Sequence, residues 1–459
     1  MECFTVLADE IEGRLDCHFY RPEYTKLDKK IKSISKKRLG DYIISISGGA
    51  TPDIKESGTY YSDENNGIPF LRVQNVTPEG LNLEDVKFIN QETHNGLLKR
   101  SQVKEFNLLT KITGVGRMAV CSVAPKGFIG NINQHLVVIE TENEETSKVL
   151  ATFLNSDIGE KLATKRATGG TRPALDYGAL KSIPIVFNSE IADIYEKAII
   201  QKKKIELDAL KLLDSINDYV LDELGIKLPE LKDKMVYVVD SDEVQNKRVD
   251  AYYYQPSYSI FYKSLEKGKF ELEILSNLCT NIFQGVGKNE VEDSEFILLK
   301  VKNILKNNQI NFTDVEYIKD VPTNKILKEG DIIAPFIGEA IRQFKFSVFS
   351  KKNGKFTVDN NTGVIRPNFE KINSFYLMVV LNSIIVIKQI QQLIGGGGVP
   401  FLGSENVKSI KIPLPPLAIQ NKIAEEVKKR VQTAEQLQKE SKEELEKAKQ
   451  EVERIILGE

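Results

Sequence analysis

Three residues in the N-terminal half have the types needed for a nuclease centre. They are Asp53, Asp85 and Lys87. In a nuclease, acidic side chains hold Mg²⁺ and a lysine orients the attacking water. The second half of the chain does not reproduce the set, and 28% of all residues are charged, so such a match arises readily by chance. We therefore interpret these residues as the solvated end of a strand, with a single-chain Mg²⁺-dependent nuclease as the alternative.

Other patterns of catalytic chemistry are incomplete. Residues 284–289 resemble a phosphate-binding loop, but Ile282 replaces its first glycine and Asn289 replaces the Ser/Thr that binds Mg²⁺. The three histidines are too dispersed for a metal cluster, and the match of His18 by Tyr252 in the second half favours aromatic packing. The chain also lacks the Asn/Asp-Pro-Pro-aromatic tetrapeptide that holds an adenine for methylation. The sequence therefore predicts no catalytic residue, no metal site and no cofactor of its own.

Two glycine-rich loops could approach nucleic acid. Residues 165–173 correspond to residues 392–400, and in such loops backbone N–H groups can come close to a phosphate while flanking cations add charge. Residues 72–75 and 300–303 alternate apolar with hydrogen-bonding side chains of the types that read guanine and adenine edges. The alternative for each segment is a half-buried strand with a polar outer face. The residues predicted to contact DNA are Arg72, Gln74, Asn75, Arg117, Lys165, Arg166, Thr171, Arg172, Lys300, Lys302, Asn303, Arg342, Gly395, Gly396, Gly397 and Gly398.

These loops belong to an internal repeat. Residues 14–24 and residues 248–258 share the pattern Arg-apolar-Asp, an aromatic pair and Pro-x-Tyr, at an offset of 234 positions. The correspondence continues in order along both halves, and a duplication of this kind predicts two copies of one site on a pseudo-two-fold frame.

Composition excludes several classes of protein. A chain of 459 residues with 41% apolar residues can form two to four domains with their own cores. The net charge of −2 argues against a non-specific polyanion binder but permits a basic face. No signal peptide or membrane span is expected, so the predicted location is the cytoplasm. Four scattered cysteines predict reduced thiols: Cys3, Cys17, Cys121 and Cys279.

The periodicity of apolar residues places the repeat on a scaffold. Residues 1–188 and 227–415 have the pattern of strands, turns and short helices that is typical of two α+β domains. One helix is predicted in each domain, at 145–166 in the first and at 374–394 in the second. Residues 189–226 and 416–459 predict two long helices with narrow apolar seams and Lys/Glu/Gln-rich faces, which we expect to pair as an antiparallel coiled coil. The predicted fold is therefore two α+β domains held apart by two long helices.

Three features together resemble the DNA-specificity subunit of type I restriction–modification systems. They are the repeated opening motif, the long helix that closes each half, and the glycine-rich loop before residues 408–420, whose sequence is Lys-Ser-Ile-Lys-Ile-Pro-Leu-Pro-Pro-Leu-Ala-Ile-Gln. The likeness spans essentially the whole chain. The first half departs from it locally, because residues 183–188 lack the Pro-Pro-Leu step.

The resemblance implies two target-recognition domains, at residues 1–188 and 227–415, that each read one part of a split site in double-stranded DNA. It implies that the helices set the spacing and dock two methyltransferase subunits, and that restriction subunits also bind. S-adenosylmethionine, ATP and Mg²⁺ would belong to those partners. The chain itself would be no enzyme. The remaining alternatives are the nuclease above and a coiled-coil scaffold protein.

Overall fold

The chain forms two compact units. The computed structural model describes residues 4–7, 11–53, 55, 57–244, 248–287, 289–351, 353–394 and 398–459. Unit 1 contains Met1–Glu206 together with Gln438–Glu459, and unit 2 contains Leu207–Leu437. The first unit is therefore built from both ends of the sequence, whereas the second is continuous.

The strands of both units are short, and most are bounded by Gly, Asn, Asp or Pro turns. They are β1 Ser45–Gly48, β2 Tyr61–Ser62, β3 Ile68–Leu71, β4 Val76–Thr77, β5 Gly80–Leu81, β6 Lys87–Ile89, β7 Gln102–Val103, β8 Leu108–Lys111, β9 Cys121–Val123, β10 Gly130–Ile132, β11 Leu136–Glu140, β12 Leu272–Ile274, β13 Cys279–Gln284, β14 Glu290–Val291, β15 Phe296–Leu299, β16 Glu316–Ile318, β17 Ile332–Pro335, β18 Ser347–Val348, β19 Lys355–Val358, β20 Thr362–Pro367 and β21 Lys411–Pro413.

The helices include two that are much longer than the rest. They are α1 Pro22–Ile34, α2 Ser57–Tyr60, α3 Gln91–Asn95, α4 Glu144–Asn155, α5 Asp157–Arg166, α6 Tyr177–Lys181, α7 Ser189–Leu224, α8 Ser241–Val244, α9 Pro256–Glu266, α10 Leu275–Leu278, α11 Ser374–Leu381, α12 Ile384–Ile394, α13 Gly403–Lys408 and α14 Leu417–Leu457.

The two units share one sheet topology. In unit 1, strands β1, β11, β8 and β9 form an antiparallel sheet in that order, and in unit 2 strands β13, β20, β17 and β18 do the same. A second sheet in each unit contains one parallel pair, β3 with β10 and β15 with β19, among antiparallel neighbours. The repeat inferred from the sequence is thus a repeat of structure, and the prediction of a mixed α+β fold with two long helices is confirmed.

The long helices begin and end where the sequence predicted. Asn188 accepts a hydrogen bond from the backbone N–H of Glu190 at the start of α7, and Gly225 ends the helix with φ +66°. Gly458 ends α14 in the same left-handed conformation, with φ +71°. The predicted seam positions of both helices are buried or half-buried, because each helix contributes an apolar stripe to a core.

Each long helix takes part in both cores. In unit 1, Ile191 and Tyr195 of α7 pack in one cluster with Val452 and Ile456 of α14. In unit 2, the opposite ends of the helices contribute, with Val220 and Leu224 of α7 in one cluster with Ile423 and Val427 of α14. The two helices therefore run antiparallel, as predicted. Their role as a spacer stays a prediction.

The shorter core helices differ from the prediction in one respect. Each was expected as a single helix, but residues 144–166 form two helices, α4 and α5, and residues 374–394 form α11 and α12. The break in unit 1 occurs at Ser156, whose ψ of 161° is extended and whose hydroxyl accepts a bond from Gly159 N–H. A serine with a local hydrogen bond competes with the helical ladder in this way. In unit 2 the axes of α11 and α12 are bent by 59° relative to each other. Within the described residues, no single helix has the length and hydropathy expected of a membrane span. The bent pair of α11 and α12 meets that expectation by length and composition only.

Candidate nucleic-acid interface

The repeated Arg-x-Asp motif caps a helix. In unit 1 the Arg14 guanidinium donates to the carboxylate of Asp16 at 2.7 Å and to the carbonyls of Arg166 and Ala167 at 2.9 and 3.3 Å. The hydroxyl of Tyr20 donates to the Arg14 carbonyl at 2.7 Å. Because the last carbonyls of α5 lack intrahelical partners, a planar cation at this end satisfies them and complements the helix dipole.

The second copy repeats these contacts. Arg248 donates to Asp250 at 2.7 Å and to the carbonyl of Leu393 in α12 at 2.5 Å, while Tyr254 donates to the Arg248 carbonyl at 2.6 Å. In both units the capped helix is the one that leads into the glycine-rich loop. The motif that reveals the duplication therefore positions the loop, and it is a structural element.

The expected aromatic role of His18 is confirmed. Its ring meets Tyr24 edge-on at 5.3 Å between centroids, and Tyr252 meets Tyr258 in the same way at 5.8 Å. These pairs lie beside the capping arginines and stabilise the start of α1 and α9.

Four loop segments meet at one end of the antiparallel sheet in unit 1, and we call them the unit 1 crest: residues 49–51, 113–117, 133–135 and 168–174. Gly114 N–H donates to the carbonyl of Pro173 at 3.1 Å, and Thr168 and Ala174 exchange two backbone bonds of 2.8 Å. Thr51 Oγ1 donates to the side chain of Gln134. The glycine-rich loop is thus fastened to the neighbouring turns by its backbone, which leaves its side chains on the outside.

The same arrangement forms the unit 2 crest: residues 285–287, 337–342, 359–362 and 398–401. Gly338 N–H donates to the carbonyl of Pro400 at 2.8 Å, as Gly114 does to Pro173. Phe336 N–H donates to Asn361 O at 2.8 Å, which joins this turn to the loop after β19. Gly285 packs so closely that a Cβ there would collide with the carbonyls of Val358 and Asp359.

Three predicted DNA-contact residues lie in the unit 1 crest. Thr171 and Arg172 are exposed, and Arg172 has no carboxylate partner within the part of the chain that the structure describes. Burial of His135, together with the charge of Arg172, lowers the pKa of the His135 imidazole. Arg117 lies in the same crest, but it donates to Asp157 at 2.9 Å and to Asn155 O at 2.6 Å, which ties it to the junction of α4 and α5.

Residues 72–75 lie outside the crest, in a tight turn after β3. Arg72 donates to Asp85 Oδ2 at 3.2 Å and Gln74 to the same oxygen at 3.1 Å, so the carboxylate balances the arginine charge. Asn75 is fully buried, and its amide binds Arg72 N–H and Asn82 O. Asn75 cannot reach a base from this position, and the predicted base contact does not fit it.

The equivalent turn of unit 2 has the same design. Lys300 pairs with Glu290 at 2.6 Å and with Glu316, and Lys302 pairs with Asp314 and Glu316 at 3.1 and 3.2 Å. Hydrogen bonds to these carboxylates raise the pKa of both lysines, which stay charged. Asn303 is buried and bonds to backbone groups, as Asn75 does, so its predicted base contact does not fit either.

Lys165 and Arg166 are buried in unit 1 instead of facing solvent. Asp28 of α1, only 1% exposed, accepts from Arg166 at 2.5 Å, from Lys165 at 3.3 Å and from Lys32 at 2.6 Å. Burial opposes the ionisation of Asp28, but the cations outweigh it and lower its pKa to about 2. Neither Lys165 nor Arg166 reaches the surface, so their prediction as DNA contacts does not fit the structure. The end of α5 turns them toward α1, which the sequence pattern did not reveal.

The remaining predicted residues belong to unit 2. Arg342 is exposed at the unit 2 crest and pairs with Glu339 at 3.1 Å. Gly398 is exposed with φ +68°, whereas Gly395, Gly396 and Gly397 lie outside the described residues.

The crests also contain polar residues that the sequence motifs did not reveal. Thr51, Gln134 and His135 in unit 1 and Asn360 and Asn361 in unit 2 lie beside the glycine-rich loops. The sequence did contain a signal for them, because the turn with Gln134 and the turn with Asn360 each precede an apolar strand. The two turns are also separated by nearly the same number of positions as the other repeated segments. Only the folded sheet shows that they share an edge with the loops.

The nuclease hypothesis gains no support from the geometry. Asp85 is engaged by Arg72 and Gln74, and Lys87 Nζ lies 5.8 Å from the centroid of the Tyr61 ring. Within the described residues, no group of three or more His, Cys, Asp or Glu side chains is arranged to hold a metal ion.

Comparison with known proteins agrees with the resemblance seen in the sequence. Residues 287–447 match the family model "Type I restriction modification DNA specificity domain". Among curated proteins, the MjaVIII type I restriction enzyme specificity subunit of Methanocaldococcus jannaschii is 28% identical over 152 residues, which is 32% of this chain and 35% of that protein. The putative MjaX specificity subunit of the same organism is 32% identical over 104 residues, 22% of this chain and 24% of that protein. These alignments thus span only about a third and a quarter of the curated relatives.

Among solved structures, a type I restriction–modification S subunit from M. genitalium is 12% identical, with a TM-score of 0.43, and the alignment covers 92% of this chain and 95% of that one. The family model and the curated relatives support the resemblance that the repeated motifs carry.

Proposed function

We propose that this chain, whose residues 287–447 match the family model of the type I restriction–modification DNA specificity domain, is the DNA-reading subunit of such a complex. Unit 1 would bind one part of a split target in double-stranded DNA and unit 2 the other. The chain would be non-catalytic, and it would act in the cytoplasm, where the chromosome is accessible.

The observation that carries this proposal is the pair of crests. Both are built on the same sheet order and the same backbone hydrogen bonds, Gly114 to Pro173 and Gly338 to Pro400, yet their exposed side chains differ. Two readers of different base sequences require one backbone frame with different outward side chains, because side chains carry sequence readout while backbone contacts fix position.

The partners follow from what the chain lacks and from the family. Two methyltransferase subunits would dock on the chain and bring S-adenosylmethionine to an adenine turned out of the duplex. Restriction subunits would bring ATP- and Mg²⁺-dependent cleavage. The net charge of −2 fits this division, because partners can supply many of the phosphate contacts that dominate affinity.

The test is sequencing of methylated adenine in the host genome with and without this gene. The proposal expects the loss of one split motif with a fixed internal gap when the gene is removed, and restoration when it is returned. An unchanged set of methylated adenines would contradict it. Mg²⁺-dependent cleavage of DNA by the purified chain alone would support the nuclease instead.

A second experiment tests the assignment of one unit to each half-site. Replacing residues before 189 with those of a relative should change one half of the motif and leave the gap and the other half intact. Because Ile191 and Tyr195 pack into the unit 1 core, the exchange must keep α7 whole. A change in both halves would contradict separate readers.

A further inference from the structure

The two crests differ in side-chain chemistry at two equivalent positions. The bonds from Gly114 to Pro173 and from Gly338 to Pro400 align the two prolines, and the bridges Thr113–Ala174 and Ile337–Phe401 align the residues after them. Val399 of unit 2 therefore stands where unit 1 has Arg172, and Phe401 stands where unit 1 has Ala174. A cation and a small side chain in one crest are replaced by two large apolar side chains in the other.

The apolar pair is exposed on a fixed backbone. Val399 is 74% exposed and Phe401 is 54% exposed, although the proline between them is buried. Backbone bonds hold both flanks, since Pro400 O accepts from Gly338 N–H and Leu402 N–H donates to Phe336 O at 2.9 Å. Alternation along this short stretch turns Val399 and Phe401 outward together.

The two crests also differ in the positive charge that they present to solvent. In unit 1, Arg172 has no carboxylate partner in the described part of the chain, so its charge is available to a phosphate. In unit 2, the arginine of the crest, Arg342, is paired with Glu339 at 3.1 Å. The unit 2 crest thus offers apolar surface where the unit 1 crest offers charge.

We propose that Val399 and Phe401 contact the bases of the second half-site through apolar surface, while Arg172 contacts the backbone of the first half-site through charge. This inference rests on the proposed DNA-reading function. Apolar side chains meet DNA at the C5-methyl of thymine in the major groove or between base pairs that they partly unstack, and valine and phenylalanine suit both.

The two modes differ in their dependence on salt. A contact to one phosphate releases a counterion and contributes about 0.9 to the slope of log K against log salt concentration, whereas an apolar contact contributes almost nothing. Arg172→Ala should therefore flatten the slope by about 0.9. Phe401→Ala and Val399→Ala should weaken binding about tenfold and threefold, with the slope unchanged, as expected for lost apolar contact.

The experiment measures the dissociation constant of the assembled complex for a duplex that carries the methylated motif, at several salt concentrations. Phe369→Ala is the matched control, because Phe369 is 59% exposed in the same unit but follows the opposite end of β20. Duplexes with uracil in place of thymine in the second half-site report methyl contact, and 2-aminopurine fluorescence there reports unstacking. A loss of either signal in Phe401→Ala supports the proposal and identifies the contact.

The outcomes separate this inference from the proposed function. If the wild-type complex fails to prefer the motif over a scrambled duplex, the DNA-reading function is refuted. If the wild type prefers the motif but Phe401→Ala and Val399→Ala bind as Phe369→Ala does, only the apolar contact is refuted. A flatter salt slope in Phe401→Ala would likewise overturn it.

Discussion

Asp28 and Lys165 form an ion pair of 3.3 Å inside unit 1, beside the closer pair of Asp28 with Arg166, and the counterparts of Asp28 and Lys165 in unit 2 are an uncharged pair. The repeat offsets align Asp28 with Tyr262 and Lys165 with Gln392, and Tyr262 lies 3.1 Å from the Gln392 side chain. The first helix of each repeat thus contacts the helix before the glycine-rich loop, through charge in unit 1 and through a neutral hydrogen bond in unit 2.

This difference predicts different acid stability in the two units. The pKa of Asp28 is lowered from 3.8 to about 2, so its ionic contribution is present above pH 4 and is lost as the pH falls toward 2. A shift of this size corresponds to about 2 kcal/mol. Burial raises the pKa of Tyr262 to about 12, so the unit 2 pair does not titrate in this range.

Hydrogen exchange between pH 4 and 2 should therefore show opening in unit 1 before unit 2. Asp28→Asn should destabilise unit 1 by about 3–5 kcal/mol at pH 7, because Lys165 and Arg166 lose their buried counter-charge. Asp28→Tyr combined with Lys165→Gln and Arg166→Leu copies unit 2 and should recover part of that loss. Equal loss in the single and triple variants would contradict the exchangeability of the two pairs.

The capping arginines should resist even a conservative change. Arg14→Lys keeps the charge but removes the planar fork that reaches Asp16 and the carbonyls of Arg166 and Ala167 together. We expect a loss of about 1–2 kcal/mol in the free energy of unfolding and faster proteolysis of the loop that follows α5. Arg248→Lys should do the same after α12. Arg21→Lys, at a side chain that is 52% exposed, is the control and should change neither readout.

Two neighbouring glycines of the unit 2 crest should differ in their tolerance of alanine. A Cβ on Gly285 would collide with the carbonyls of Val358 and Asp359, whereas a Cβ on Gly287 meets open space. Gly285→Ala should force the crest apart and weaken binding to one half-site by an order of magnitude or more, while Gly287→Ala should bind normally. Competition with duplexes mutated in either half-site measures this, and equal effects of both alanines would argue against the close approach as the cause.

Removing one carboxylate should show whether the lysines of the 300–303 turn reach DNA. Glu316 pairs with Lys300 and Lys302, so Glu316→Gln frees part of their charge. We expect DNA affinity to rise several-fold and the salt slope to steepen by up to about 1, as one more phosphate contact becomes available. Glu370→Gln changes the net charge equally at an exposed position after β20. The same gain in both variants would mean that net charge alone is responsible.

The sequence predicted those features that depend on periodicity and repetition. The caps at Asn188 and Gly225 and the seams of the long helices are local patterns, and the structure confirms them. It did not predict which cations face solvent. Lys165 and Arg172 lie in one glycine-rich segment and are both basic, yet one faces Asp28 and the other faces water. The partner that decides this is 137 residues away from Lys165, and no local pattern encodes it.

The division of the chain into units also fixes an order of events during synthesis. Unit 2 is one continuous segment, so all of its residues are available before Gln438–Glu459 of unit 1 are made. Unit 1 needs Val452 and Ile456 from α14 to complete the cluster that contains Ile191 and Tyr195. Chains grow at about 5–20 residues per second and domains commonly fold from the N-terminus onward. We therefore expect the part that is translated first to complete its core last, because the α14 side of the apolar face of α7 is covered only after Gln438–Glu459 have been made.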